Sequence, residues 1–139
     1  MCFFIFDFEK RAIRSPDARK ATYRPIETEA SLLYYEWTRR NREQVSRATD
    51  GRVGYLHIPD MGVNGLNEFV KHYYPQLTKK ALIIDDRGNG GGNVSPMIIE
   101  RLQREITYAT VAANQKKGSV NPSGTLAGPK ITLIDRYSA

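Results

Sequence analysis

The sequence predicts an α/β protein built on parallel strands with flanking helices, in the order βαβαβ. Two observations carry this. Apolar runs at 53–58, 81–85 and 130–135 end in proline or charged residues, and the segment between the first two repeats apolar residues at the i, i+3, i+4, i+7 spacing of a one-faced helix. Strands separated by helix-length segments do not form hairpins; they pair in parallel through right-handed crossovers.

Met1 to Phe6 reads as a first strand, ended by Asp7. No basic region precedes it and no small-residue cleavage site follows, so it is not read as a signal peptide. Ser15-Pro16-Asp17 is polar, and Ala21 to Arg24 is extended up to Pro25. Thr28 is a candidate N-cap with Glu29 in the first turn, and Leu33, Trp37 and Val45 recur at multiples of four. The helix should end near Asp50-Gly51, with Trp37 and its neighbouring tyrosines in the core.

Val53 to Ile58 is the next strand, stopped by Pro59. A helix follows through Leu66, Phe69, Val70, Tyr73 and Leu77, with Asn64 as its cap and Pro75 disturbing its last turn. Ala81 to Asp85 is continuously apolar until its end, as suits a strand covered on both sides. Ser95 before Pro96 marks a helix start, and Ile98, Leu102 and Ile106 line one face. Residues 112–129 are polar and without period, which reads as a long mobile loop before the last strand, Lys130 to Asp135.

With 139 residues there is room for one domain, or a piece of one. No window approaches the roughly 20 apolar residues of a membrane span. Cys2 is the only cysteine, so an intrachain disulfide and a cysteine zinc site are excluded and the cytoplasm is the default compartment. The net charge of +6 raises nucleic acid as a partner. The basic residues at 36–52 and 100–105 alternate with acids at helical spacing, however, which describes solvated helix faces. His57 and His72 stand alone, without acidic partners at ligand spacing, and read as packing or surface residues with no metal site.

The chemistry concentrates in Asp85-Asp86-Arg87-Gly88-Asn89-Gly90-Gly91-Gly92. Four glycines in five positions let the backbone reach positive φ and bring N–H groups against a bound group. The P-loop pattern is absent, and the dinucleotide pattern fails at Asn93. Asp86 to Gly92 satisfies Asp-x-Gly-x-Gly-x-Gly, which resembles the cofactor loop of S-adenosylmethionine-dependent methyltransferases, but the acidic residue wanted after the next strand is only Asp135, behind a long loop. A tight turn with no ligand is the remaining reading, although four glycines exceed what such a turn needs.

Three blocks in order, 51–61, 82–93 and 128–139, together resemble the catalytic core of the tricorn-type and C-terminal-processing (tail-specific) serine peptidases, over roughly residues 21 to 139. The resemblance implies a crotonase/Clp-like core, with residues 28–139 as the N-terminal part of the catalytic core and residues 1–27 as the end of a PDZ-like module and its linker. It implies that Gly91 and Gly92 are oxyanion-hole donors, that Arg87, Asn89 and Gly90 shape the loop, and that Asp85 anchors the strand end. Tyr137, Ser138 and Ala139 fill the first three places of the family's nucleophile motif, so the nucleophile is expected immediately after Ala139 and no catalytic residue within the chain. Ser138 falls two positions early. The general base is also missing, so the chain alone should be inactive. The full-length enzyme is expected to cleave peptides or unfolded proteins by acyl transfer, as a homo-oligomer without cofactor, and not to act on nucleic acid or membranes. A degenerate, non-enzymatic peptide-binding or oligomerisation module is the alternative.

Overall fold

The computed structural model describes residues 26–139; the strand expected at 1–6 and the extended piece at 21–24 lie outside the described residues. Helix α1 (Ala30–Ala48) leads to β1 (Val53–His57), α2 (Val63–Tyr73), β2 (Ala81–Asp85), α3 (Ser95–Gln103), a short ribbon of β3 (Tyr108–Thr110) and β4 (Ser119–Asn121), and β5 (Lys130–Leu133). The main sheet has the order β1-β2-β5 and every pair is parallel, as the βαβαβ pattern requires. In register, Tyr55 lies beside Ile83 and Ile131, and His57 beside Asp85 and Leu133. Since side chains alternate across a strand, these residues share one face. The other face carries Leu56, Ile58, Leu82 and Ile84, which form the core with Phe69 and Tyr73 of α2, Ile98 of α3, and Leu126.

Helix α1 buries a polar stripe instead of the apolar one expected. Thr38 is its buried residue, whereas Leu33 is 64% and Trp37 38% exposed. Its neighbours explain this. Asn41 donates to the Tyr55 hydroxyl at 3.0 Å, Tyr35 to the buried Glu68 at 3.1 Å, and the Arg42 guanidinium meets His72 Nε2 at 3.1 Å. Glu29 occupies the N-cap position, but the Thr28 hydroxyl accepts the Ala30 N–H at 3.2 Å, so threonine still serves a first-turn donor. The helix stops where predicted: Asp50 and Gly51 both turn to positive φ, and Gly51 N–H returns to the Ser46 carbonyl at 2.7 Å.

Helix α2 begins earlier than its expected cap. Gly62 holds the N-cap position and Asn64 sits inside the first turn; the acceptor is Asp60, whose Oδ1 takes the N–H of Gly62 at 2.8 Å and of Gly65 at 3.0 Å. These two backbone donors hold the Asp60 carboxyl below its ordinary value. Pro75 converts the helix end into a single 3-10 turn, Tyr74–Gln76. Val70, expected inside, is exposed in a groove between α2 and α3.

The 3-10 turn delivers Gln76 to the edge of β1 that no strand among the described residues pairs with. Its buried amide donates to the Tyr55 carbonyl at 3.0 Å and accepts the Tyr55 N–H at 2.9 Å, as a neighbouring strand would. A Cβ at Gly54 would stand 2.8 Å from Gln76 Oε1, so glycine there admits the amide.

Three corrections concern the second half. Ser95 is the first helical residue of α3, behind Val94 at the N-cap position, and its hydroxyl makes no cap bond. The helix ends at Gln103, leaving Ile106 outside it and 40% exposed. The segment read as a mobile loop contains β4, paired antiparallel with β3, and then buries Leu126 completely against the core while its N–H meets the Tyr73 hydroxyl at 3.3 Å. Alternation and helical period are both blind to one buried leucine in a polar stretch.

Gln76→Leu would leave the Tyr55 N–H and carbonyl buried without partners, and is expected to lower stability by about 3 kcal/mol in urea unfolding. A loss of less than about 1 kcal/mol would show instead that this edge is satisfied by water.

Candidate active site

The glycine loop leaves β2 at the carboxyl end of the parallel sheet, where open α/β folds hold their ligands. Asp85 closes the strand, fully buried. Its carboxylate receives Arg87 Nε at 2.8 Å, Arg87 Nη2 at 2.6 Å and the Tyr55 hydroxyl at 2.6 Å. Burial opposes ionisation of Asp85, but the Arg87 and Tyr55 hydrogen bonds overcome it and hold the carboxyl below its ordinary value. Burial, followed by the Asp85 hydrogen bond, raises the Tyr55 hydroxyl, which therefore stays a donor. The Arg87 guanidinium remains half-exposed and lies 5.9 Å from the Trp37 ring.

Asn89 is buried and acts as a clasp. Its amide nitrogen donates to the Ile58 carbonyl at 3.1 Å, beyond the end of β1, and its side-chain oxygen accepts the Gly91 N–H at 2.9 Å. Gly91 carbonyl in turn accepts the Met61 N–H at 2.9 Å, and Gly92 bridges to Met61. At Gly92, φ is +147° and a Cβ would stand 2.2 Å from the Met61 carbonyl oxygen, so packing alone demands glycine. Gly90 differs: its φ is not positive and a Cβ would meet nothing within 4 Å. The N–H groups of Gly90 and Gly92 donate to no group among the described residues.

The segment after β5 folds back onto this loop. Asp86 N–H meets the Leu133 carbonyl at 2.8 Å, Gly88 N–H the Asp135 carboxylate at 3.1 Å, and Ala139 N–H the Asn89 carbonyl at 3.0 Å. Gly88 N–H, followed by Tyr137 N–H, holds Asp135 below its ordinary value. Asp135, the acid a ribose would need, is thus occupied by the turn itself. Ser138 donates to the Asp86 carbonyl at 2.7 Å and accepts the Asp135 N–H at 3.0 Å. The same hydroxyl lies 3.2 Å from the Asp135 carboxylate, and no histidine or lysine among the described residues hydrogen-bonds it, so the serine–histidine pairing of an activated nucleophile is not formed there.

Sequence reasoning named Asp85, Arg87, Asn89, Gly90, Gly91 and Gly92; Asp85 ends β2 and the other five lie in the loop that follows it. It assigned no role to Tyr55 or Asp60, and considered Asp135 only as the acid that would hold a cofactor ribose. The period-2 alternation of β1 could have placed Tyr55 on the Asp85 side, but only the register brings them together. His57 is buried as expected for a packing residue, with Nδ1 3.1 Å from the Tyr34 hydroxyl and Nε2 3.1 Å from the Arg87 carbonyl. His72 is half-buried and, against the expectation that it has no acidic partner, its Nε2 lies 3.3 Å from the Glu68 carboxylate; burial followed by Arg42 lowers it from its ordinary value.

Residues 52–139 match peptidase family S41. The chain belongs to this family. It is 36% identical over 116 residues to the tricorn protease of Thermoplasma volcanium, covering 81% of this chain and 11% of that one. To the tricorn protease of Thermoplasma acidophilum it is 35% identical, covering 81% and 10%. A crystal structure of the tricorn protease superposes with a TM-score of 0.82 at 32% identity, over 91% of this chain and 12% of that chain. The chain therefore spans about a tenth of the length of the relatives it matches. In this family S41 chain, no helix among the described residues is long and apolar enough to cross a membrane.

Asp85→Asn removes the charge that faces Arg87 and is expected to destabilise the chain by about 2 kcal/mol at pH 7. Because folding holds the Asp85 carboxyl below its ordinary value, its contribution is present above the ordinary carboxylate range and is lost as the pH falls through the lowered folded value. The stability difference between wild type and Asp85→Asn should accordingly narrow in acid, as read by denaturant unfolding from pH 7 down to pH 3. A difference independent of pH would contradict the assignment.

Proposed function

We propose that this chain is the N-terminal part of the catalytic core of a serine peptidase, presenting an oxyanion loop to a nucleophile that follows Ala139. The observation that carries this reading is the Ala139 N–H to Asn89 carbonyl hydrogen bond at 3.0 Å, which holds the end of the β5 segment against the glycine loop. A residue following Ala139 would start within a few ångströms of Gly91, whose Cβ position is 3.2 Å from the Ala139 Cβ.

Gly91 and Gly92 are the proposed oxyanion donors. Gly92 is the stronger of the two, because its N–H is uncommitted among the described residues while that of Gly91 is shared with Asn89 Oδ1. One well-placed donor stabilises a tetrahedral oxyanion by roughly 2.7 to 4 kcal/mol. In the proposed reaction the serine attacks a peptide carbonyl while a base outside this chain takes its proton, the base returns that proton to the departing amine as the C–N bond breaks, and water then hydrolyses the acyl-enzyme and frees the serine. Asp85, Arg87, Asn89 and Gly90 fix the loop that presents these donors.

The same reading makes residues 28–139 the start of a crotonase/Clp-like core; the PDZ-like module end expected at 1–27 lies, up to residue 25, outside the described residues. This reading takes a peptide or unfolded protein as substrate, of a homo-oligomeric cytoplasmic enzyme. A fluorophosphonate probe should leave the 139-residue chain unlabelled and, in the full-length protein, modify the residue after Ala139. Labelling at Ser138, or a full-length protein with no labelled serine at that place, would overturn the proposal.

A further inference from the structure

We propose that His57 is the positioning residue of the glycine loop, holding it to helix α1 through a directed Tyr34–His57–Arg87 hydrogen-bond chain. The imidazole is 7% exposed and lies between two partners of different character. Nε2 is 3.1 Å from the Arg87 carbonyl oxygen, which can only accept, so Nε2 carries the proton. In the neutral imidazole Nδ1 is then the acceptor, and the Tyr34 hydroxyl 3.1 Å away is its donor. The ring cannot rotate out of this arrangement freely. Trp37 meets it edge-on with centroids 4.9 Å apart, and Tyr34 meets it at 60° with centroids 5.5 Å apart.

The bond to Arg87 falls at a decisive place. The Arg87 carbonyl belongs to the peptide unit that supplies the Gly88 N–H, which the Asp135 carboxylate receives at 3.1 Å. This one peptide is therefore fixed at its oxygen by His57 and at its nitrogen by Asp135. Its plane sets the direction in which the chain enters Gly88, at φ +72°, and so the course of the backbone to Asn89 and Gly91. The Asp85–Arg87 ion pair holds the side chain of Arg87 but leaves this peptide plane undetermined. Helix α1, which has no residue in the loop, thereby bears on the loop's backbone through Tyr34.

The first measurement needs no variant. A long-range 1H–15N spectrum of the 139-residue chain should show the Nε2–H tautomer for His57, and an Nδ1–H tautomer would overturn the chain's direction. Backbone amide exchange then reports the loop. In His57→Leu the N–H groups of Gly88, Gly91 and Ala139 should exchange at least about tenfold faster, with those of Ile83 and Ile84 in β2 unchanged. His57→Gln, whose amide nitrogen falls where Nε2 was, should restore protection to within about threefold of wild type. Unchanged loop exchange in His57→Leu, or a folded His57→Gln that restores nothing, would overturn the proposal.

Its consequence for catalysis rests on the peptidase reading. In the full-length protein His57→Leu should lower kcat by about 100-fold with KM within about twofold, and His57→Gln should recover most of it. A wild-type protein that cleaves no peptide would sink the peptidase reading and leave the exchange result standing. An active wild type with full kcat in His57→Leu would sink the link between the position of this loop and catalysis.

Discussion

The side chain of Asn89 is the constraint on which the rest of the site depends. An amide offers both a donor and an acceptor on one rigid plane, and here both are used in a buried position: the donor on the carbonyl of Ile58, the acceptor on the N–H of Gly91. The backbone carbonyl of the same residue receives Ala139. One residue therefore joins the chain beyond β1, the loop after β2 and the segment after β5. An aspartate would lack the donor and add a buried charge, and a leucine would leave two backbone groups unpaired, so the position is chemically narrow.

Around that clasp the protein uses polar groups where a sheet protein of this size would ordinarily place apolar ones. The face of β1 and β2 toward α1 carries Tyr55, His57 and Asp85, and α1 answers with Tyr34, Thr38 and Asn41. Tyr55, His57 and Asp85 each have a named partner, which is the condition under which such burial is tolerated, whereas Arg42 Nε is buried without a partner among the described residues. The opposite face is conventional, a close-packed layer of Leu56, Ile58, Leu82 and Ile84 under α2 and α3. The sheet thus has a greasy side that supplies cohesion and a hydrogen-bonded side that supplies direction. The glycine loop grows from the directed side through Asp85 and Arg87.

Much of this was legible beforehand because it is local. The strand at 81–85 breaks into charge at Asp85 and into glycine at Gly88, and the αL stop at Asp50-Gly51 is written in the residue types that tolerate positive φ. The helix with Phe69 and Tyr73 inside declares itself by period. What was illegible depended on partners far away in the chain. Trp37 has the spacing of a core residue and ends half-exposed because β1 presents polar groups to α1. Asp60 caps α2 from outside it, two residues before the N-cap position, where a cap search does not look. Leu126 is a lone apolar residue whose burial is decided by the hydroxyl of Tyr73 and the floor of the core.

By itself the sequence determined the order of the helices and of the main-sheet strands among the described residues, the parallel sheet, the loop that carries the chemistry and the family it resembles, since each is encoded in contiguous residues read by short-range sterics and periodicity. Only the tertiary structure decided which groups the loop leaves free. Gly91 and Gly92 are indistinguishable as letters, yet Asn89 takes the N–H of one and the Met61 backbone crowds the Cβ position of the other. The difference arises because hydrogen-bond donors are allotted by three-dimensional neighbours, and those neighbours come from 31 residues away in the case of Ile58.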